Sequence, residues 1–198
     1  MSEQVAEHDV TAELELVERA KQREPHAWAE IYERFSGSVY AFFVHQLQNR
    51  QTAEDLTGGV FVEGLQSAHR FQGDLAAMRS WLFRIARNNL IDYFRRERRV
   101  TWEPIDDTNP TELARVSPVE DPEESALSNL DRQRLLEVIE SLSPDQREVV
   151  LLRLAGGLTS PEIAEMVGKT VGAVKALQHR AVASLARALQ PADRRGGV

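Results

Sequence analysis

Apolar residues recur every three to four positions along most of this chain, which is the spacing of one face of an α-helix. The pattern is clearest over residues 79–99, RSWLFRIARNNLIDYFRRERR. At the helical step of about 100° per residue, one side of this predicted helix is apolar and consists of Leu82, Phe83, Ala86, Leu90, Tyr93 and Phe94. The other side presents Trp81, Arg84, Asn88, Asp92, Arg95 and Arg99. Guanidinium groups, an amide and an indole on one face suit the phosphates and bases of a nucleic acid.

The same pattern has an ordinary structural interpretation. Arginine-rich helix ends are commonly solvated surfaces that bind nothing, and Trp81 is as well placed to join a core as to contact a base. The helix alone therefore leaves both interpretations open, and a second pattern later in the chain bears on the choice.

Three further helices are predicted ahead of residues 79–99. A short amphipathic piece covers residues 14–21, and Pro25, which suits a first helical turn, opens a helix that runs to about Leu47. The apolar stripe of this second helix consists of Trp28, Ile31, Tyr32, Phe35, Val39, Phe42 and Phe43. Residues 12–99 are thus predicted to form a four-helix domain.

The third helix is predicted to start at Thr52, because Asp55 follows three residues later in a capping arrangement. Its apolar positions are Leu56, Val60, Phe61 and Leu65. Gly58 and Gly59 lie inside it, where each costs about 1 kcal/mol relative to alanine.

The second half of the chain has clear helix starts. Ser-Pro-Asp-Gln at 143–146 and Thr-Ser-Pro-Glu at 159–162 are capping boxes with proline in the first turn. Glycines end both helices, and Thr170 caps a last helix that runs to about Leu189. Two helices joined by a short turn that contains glycine form the helix-turn-helix pattern.

The last helix is predicted to point Val174, Ala181 and Leu185 inward. Its outward residues are Gly172, Lys175, Ala176, His179 and Arg187, with Arg180 at the edge. A helix that carries such basic residues near its N-terminal half can enter the major groove of DNA. The alternative is a plain helical hairpin whose outer face is solvated.

Composition excludes several classes of protein. The chain has no cysteine, which rules out disulfides and cysteine-based zinc sites. No apolar run approaches the roughly 20 residues of a membrane span, and the acidic N-terminus does not resemble a secretory signal. We therefore expect a cytoplasmic protein without membrane insertion. The histidines show no metal-ligand spacing, so neither a metal nor another cofactor is expected.

The net charge of −7 conceals two basic blocks. Residues 70–99 carry eight arginines and three acids, and residues 143–198 carry eight basic residues and five acids. Between them, residues 100–130 carry eight acids and a single base, Arg115. Both predicted binding surfaces are therefore positive, and the chain that joins them is negative.

The acidic stretch also separates two domains. Residues 100–129 contain four prolines and show no helical period, so they are predicted to be a flexible linker. A second helical domain is expected at 130–189, with disordered ends at 1–11 and 190–198. The predicted fold class is all-α, with two small helical domains.

Taken together, the motifs resemble the extracytoplasmic-function group of the sigma-70 family of sigma factors. The resemblance covers about residues 12–99 and 130–189. Its motifs are AEDLTGGVF at 53–61, HRFQGDLAAMRSWLFRIARNNLIDYFRRERR at 69–99, LSPDQREVVLLRLAGGLTSPEIAEMVG at 142–168 and GAVKALQHRAVASL at 172–185. It implies a sigma-2 and a sigma-4 domain that bind RNA polymerase core and recognise the −10 and −35 promoter elements.

The resemblance also implies binding residues. Contacts to the clamp of the largest polymerase subunit match Asp55, Leu56 and Phe61. Contacts to the opened −10 element match Phe71, Asp74, Trp81, Arg84, Asn88, Arg95 and Arg96. Contacts to the −35 element match Thr170, Gly172, Lys175, Ala176, His179 and Arg180. The polymerase beta flap is a further expected partner, and an anti-sigma factor is a candidate partner because many members of the group are inhibited by one.

Two segments depart from the family pattern. Gly58 and Gly59 stand where the family often has glutamine and an acid, so the polar part of the clamp contact is in question. Ala-Leu-Gln stands at 176–178, where Ser-Arg-Leu is frequent, and the missing arginine removes an expected DNA contact.

Two other functions are weighed against a sigma factor. A helix-turn-helix regulator that acts without polymerase would bind palindromic sites tightly as the isolated chain. An enzyme would need a catalytic constellation, and the sequence shows no such set of residues, no phosphate-binding glycine loop and no H-E-x-x-H motif.

Overall fold

The computed structural model describes the backbone of residues 2–47, 49–100, 139 and 141–189, and the side chains of a slightly smaller set. The chain divides into two compact units, and the division falls within residues 101–138, outside the described part. All the described elements are helical, which confirms the predicted all-α class. The predicted linker and the predicted disordered tail at 190–198 lie outside the described residues, apart from Val100, which ends a helix.

The described residues of the first unit form four α-helices. They are α1 (Ser2–Lys21), α2 (Pro25–Leu47), α3 (Arg50–Ser67) and α4 (Leu75–Val100). A 3-10 helix at Ala68–Arg70 follows α3 directly. The count of four helices and the start of α2 at Pro25 agree with the prediction.

The first helix is much longer than predicted. It begins at Ser2, whereas residues 1–11 were expected to be disordered. Residues 2–11 contain no glycine or proline, and four of the ten are glutamate, glutamine or alanine. Glutamate, glutamine and alanine have good helix propensity, and acids near a helix N-terminus also interact favourably with its dipole.

The start of α3 is capped by a different residue from the one predicted. The side chain of Asn49 accepts a hydrogen bond from the backbone N–H of Thr52 at 3.0 Å. Thr52 was predicted to be the cap, but it lies in the first turn. Asparagine is at least as good a cap as threonine, so the helix begins one turn earlier.

Aromatic side chains form the centre of the first unit. Phe42 packs edge-on against both Phe43 and Phe83, with ring centroids 5.6 and 5.9 Å apart. The indole nitrogen of Trp28 donates a hydrogen bond to the backbone carbonyl of Ala20 at 2.9 Å, which joins α2 to α1.

The core of the first unit excludes three residues that helical periodicity had assigned to apolar faces. Tyr32 is 48% exposed, Phe94 42% and Leu65 36%. Periodicity identifies the inward side of a helix, but it does not show where the neighbouring helices stop covering that side.

The second unit contains the predicted helix-turn-helix. Within its described residues, the helices after Leu142 are α5 (Pro144–Leu154), α6 (Ser160–Val167) and α7 (Val171–Leu189). Leu142, Val150 and Ala181 pack together in its core. The predicted part of this domain at 130–138 lies outside the described residues.

Both predicted capping boxes are present. At α6, the Thr159 side chain accepts from the Glu162 backbone N–H, and the Glu162 carboxylate accepts from the Thr159 N–H at 2.7 Å. Gly168 ends α6 with φ +68°, in the left-handed region that glycine enters without strain. The turn into α7 is therefore fixed by its own residues.

None of the helices described here is long and apolar enough to span a membrane.

Candidate nucleic-acid interface

The outer side of α4 carries a row of polar and basic side chains. Arg84, Asn88 and Arg95 are all exposed, and their spacing of four and seven residues aligns them along the helix. Arg96 is exposed beside them. Opposite the row, the buried residues of α4 are Leu75, Met78, Leu82, Phe83, Ile85, Ala86 and Leu90. The two-sided helix predicted from the sequence is therefore present.

Arg95 has one ion-pair partner on its own helix. Its Nη1 lies 3.1 Å from Oδ1 of Asp92, and both side chains are more than half exposed. Exposed pairs of this kind contribute little stability, so exchanging Asp92 for a phosphate costs little.

The loop before α4 is held in one shape. Phe71 is 7% exposed, and its ring centroid lies 5.1 Å from that of the half-buried Trp81. Gly73 has φ +132°, and a Cβ there would lie 2.7 Å from the Cβ of Ala77. Trp81 therefore has one ring face against the loop, which limits the faces it can offer to a base.

Asp74 has a structural role at the start of α4. Its Oδ1 accepts a hydrogen bond from the backbone N–H of Ala77 at 2.8 Å. The side chain remains exposed. The predicted −10 contacts of Phe71 and Asp74 remain predictions, and both residues first serve to shape this loop.

The predicted polymerase-binding residues of α3 differ in accessibility. Asp55 is exposed and Leu56 is half-buried. Phe61 is 7% exposed and packs edge-on against Tyr32, with ring centroids 4.8 Å apart. Phe61 thus presents little surface of its own, and the exposed aromatic group above it is Tyr32.

Sequence reasoning missed Val62, which is 56% exposed on α3. Its exposure could have been predicted, because Val62 lies outside the apolar stripe of α3 on a helical wheel.

The two glycines of α3, Gly58 and Gly59, are also exposed. A Cβ at Gly58 would meet nothing within 4 Å, and one at Gly59 only the side-chain nitrogen of Asn89 at 4.0 Å.

The last helix presents the outer face that was predicted. Thr170, just before the helix, is exposed, and so are the residues predicted to face outward or to lie at the edge, Gly172, Lys175, Ala176, His179, Arg180 and Arg187. Thr170 Oγ1 accepts from the Ala173 backbone N–H at 3.2 Å and so caps α7. Val174 and Ala181 are fully buried, as predicted, whereas Leu185 is half-buried.

The segment 176–178 is explained by packing. Leu177 is 8% exposed and belongs to the core. Oε1 of Gln178 accepts a hydrogen bond from Ser160 Oγ at 3.0 Å, which joins α7 to the start of α6. The position where the family often has arginine therefore holds a core leucine here.

Within the described side chains, no group of three or more histidine, aspartate or glutamate residues is arranged to hold a metal ion. The surfaces on α4 and α7 offer cations, amides and hydroxyl groups. Their chemistry is that of binding a polyanion.

Two family models match the chain. The model of sigma-70 region 2 matches residues 31–100, and that of sigma-70 region 4 matches residues 132–185. The two matches cover the α4 surface and the helix-turn-helix, respectively.

Two relatives match over most of the chain. The ECF RNA polymerase sigma factor BldN of Streptomyces coelicolor is 37% identical over 96% of this chain and 70% of its own length. The ECF RNA polymerase sigma-E factor of Escherichia coli K12 is 29% identical over 91% of this chain and 95% of its own.

A solved structure has the same fold. It is the sigma factor RpoE in complex with the anti-sigma factor NepR from Bartonella quintana, with a TM-score of 0.60 and 22% identity. The match covers 83% of this chain and 97% of that one.

Proposed function

The chain belongs to the extracytoplasmic-function group of the sigma-70 family, and we propose that it holds one promoter at two elements while bound to RNA polymerase core. The protein is a sigma factor that recognises promoters and directs the initiation of transcription. The residues that make each contact are inferred from the surfaces described above.

The exposed row on α4 is the observation that carries the proposal. Arg84, Arg95 and Arg96 neutralise phosphates of the −10 element, and Asn88 offers an amide to a base edge. Trp81 supports a base released from the duplex with the part of its ring that Phe71 leaves accessible. Unstacking a base costs a few kcal/mol, and stacking on an aromatic ring returns about 1–3 kcal/mol.

The outer face of α7 reads the −35 element. Lys175, His179 and Arg180 are exposed on the helix that follows the turn, which is the recognition position of a helix-turn-helix. The capped start at Thr170 holds the first turn of this helix in place. The buried Leu177 gives no contact there, so the −35 sequence differs from that of relatives with an arginine at this position.

Core polymerase binds the first unit through α3. Asp55 and Leu56 meet the clamp of the largest subunit, and the second unit meets the beta flap. Phe61 acts by supporting Tyr32, because its own ring is almost covered. In this proposal the protein makes and breaks no bond, needs no cofactor, and works in the cytoplasm beside the polymerase.

An anti-sigma factor is a further partner in this proposal. The Bartonella quintana structure contains such a complex, and this chain has exposed basic and apolar groups that an anti-sigma factor can bind. Competition between that inhibitor and core polymerase would then control the free concentration of the protein.

The proposal is tested by reconstitution with core polymerase and a promoter library. Replacing Trp81, Arg84 and Arg95 together by alanine is expected to abolish strand separation while core binding persists. Because Trp81 is half-buried, its replacement could also impair folding. The double variant Arg84→Ala/Arg95→Ala changes only exposed side chains, so it tests the loss of DNA contacts without that effect. Strand opening is read from permanganate reactivity of unpaired thymines.

Arg34→Ala is the matched control. Arg34 is an exposed arginine on α2 whose only role in the described structure is a pair with Glu13 at 3.3 Å. Its removal should leave promoter opening intact. If the triple variant opens promoters as well as the unaltered protein, the proposed DNA surface on α4 is wrong.

A further inference from the structure

An apolar side chain interrupts the polar row of α4. Ile91 is 36% exposed. It follows Arg84 by seven residues and Asn88 by three, and Arg95 follows it by four. Residues three, four or seven apart lie one above another on a helix. Ile91 therefore lies inside the row of polar groups and not beside it.

The core does not account for this position. The inward side of the same helical turn is filled by Leu90, which is 4% exposed, and by the fully buried Ala86. A single exposed isoleucine is ordinary on a protein surface. Its significance comes from its neighbours within the row, because Arg84, Asn88 and Arg95 are groups that bind phosphates or base edges.

An aliphatic side chain can recognise one feature of DNA that these neighbours cannot. Thymine is distinguished from the other bases by its 5-methyl group, and apolar side chains contact that group. Arginine and asparagine read acceptors and donors, so within the row Ile91 is the side chain suited to the methyl. Phe94 is also exposed, but at the helical step of about 100° it lies at the edge of the row and not between its polar groups.

We propose that Ile91 contacts the 5-methyl group of one thymine of the −10 element and thereby favours thymine at that position. The inference rests on the proposed function of the α4 surface. Arg84 and Arg95 hold the backbone on either side, and Ile91 adds base preference to a surface that otherwise supplies mainly charge.

The experiment removes only the methyl group. A promoter is selected as the best-transcribed member of a pool randomised across the −10 region, using holoenzyme made from the full chain and core polymerase. Each thymine of that region is then replaced in turn by deoxyuridine. At one position, we expect open-complex formation by the unaltered protein to fall about threefold to fivefold, as for the loss of one buried methyl group.

Variants of Ile91 assign the effect. With Ile91→Ala, deoxyuridine at the sensitive position should cause no further loss, because the contact is already absent. With Ile91→Val, which keeps a branched apolar group, part of the thymine preference should remain. Both variants alter an exposed side chain, and their thermal unfolding checks that the fold is kept.

Leu14→Ala is the matched control. It shortens another exposed aliphatic residue, 49% exposed on α1, and should keep the full difference between thymine and deoxyuridine. The proposed Ile91 contact would be wrong if the selected promoter had no thymine in this region. It would also be wrong if deoxyuridine reduced open-complex formation equally for the unaltered protein and Ile91→Ala. Neither result would contradict the proposed function. If the unaltered holoenzyme opens no member of the pool, the proposed function itself fails.

Discussion

Gly64 is the residue that lets α3 approach its neighbours closely. A Cβ at this position would lie 3.0 Å from the Trp28 ring and 3.2 Å from Leu82. Both neighbours are buried in the core and have little room to move. The absence of a side chain at Gly64 thus sets how closely α3 packs on α2 and α4.

Gly64→Ala should destabilise the first unit by about 1–3 kcal/mol, because overpacking forces the Trp28 ring or the helix to shift. Urea unfolding followed by tryptophan fluorescence measures the change. Gly37→Ala is the control, since a Cβ there meets nothing within 4 Å. It should instead stabilise α2 by about 1 kcal/mol, and equal effects of the two variants would contradict the packing argument.

A second prediction at this scale concerns Glu24. Its carboxylate accepts two hydrogen bonds from Arg19, at 2.8 and 2.7 Å, and this hydrogen bonding lowers the pKa of Glu24 below its usual value. The pKa of Arg19 is raised by the same contact. A lowered carboxyl pKa means that the native state favours the ionised form.

The stabilisation from this pair is therefore complete above the ordinary glutamate pKa of about 4.3. It is lost as the pH falls through the lower pKa of the folded state. Glu24→Gln should lower the thermal midpoint at pH 7, and the difference from the unaltered protein should shrink in that acidic range. Added salt should also reduce it, since both groups are partly exposed. A difference that does not depend on pH would exclude this ion pair as its cause.

Single residues also show where sequence patterns stop being informative. Periodicity correctly placed Leu82, Phe83 and Leu90 inside. It could not show that Phe94 lies near the end of α4, where neighbouring helices no longer cover it. Periodicity also could not predict that Phe71 is buried, because Phe71 lies in a loop and packs against the ring of Trp81, ten residues away.

At the level of the elements, α3 combines a proposed binding surface with poor helix formers. Gly58 and Gly59 both have room for a Cβ, so they are not required by packing within the described structure. Gly58→Ala and Gly59→Ala should each stabilise the unit by about 1 kcal/mol, measured by chemical unfolding.

The same two variants test the clamp contact. If core polymerase meets α3 at Asp55 and Leu56, methyl groups one turn further along should change the affinity of core polymerase for this chain, measured by competition with another sigma factor. Gly37→Ala again serves as the control, because it adds the same methyl to an exposed position of α2 outside the proposed surface. Unchanged core affinity in both α3 variants would place the clamp contact elsewhere.

The elements themselves could largely be predicted from the sequence, because local signals determine where they start. Pro25, Ser143, Thr159 and Thr170 all mark helix starts that the structure contains. The predicted start of α3 was wrong because Asn49 and Thr52 are both good capping residues, and capping preference does not choose between them. The helical content of residues 2–11 was missed because this polar start was not assigned to the amphipathic helix that follows it.

At the scale of the whole molecule, the distribution of charge favours the proposed function over that of a regulator that acts without polymerase. The net charge of −7 repels DNA at long range, while the basic residues are concentrated in the two blocks that contain α4 and α7. We therefore expect the isolated chain to bind promoter duplex weakly.

Gel shifts with and without core polymerase measure this difference. The complex with core should bind the promoter much more tightly, with an affinity that falls steeply as salt rises. Unrelated duplex of equal length is the control. Tight, palindrome-specific binding by the isolated chain would instead favour an independent regulator.

The burial of Leu177 restricts how this recognition helix could change over evolutionary time. A lone Leu177→Arg substitution would place a guanidinium where the chain needs an apolar group, at a cost in folding free energy. Replacing Gln178 by leucine beforehand would give up its bond to Ser160 but provide another apolar side chain for the helix to pack. Arginine at 177 is therefore expected to become acceptable only after the change at 178, so a −35 preference that depends on this arginine needs two substitutions in a fixed order.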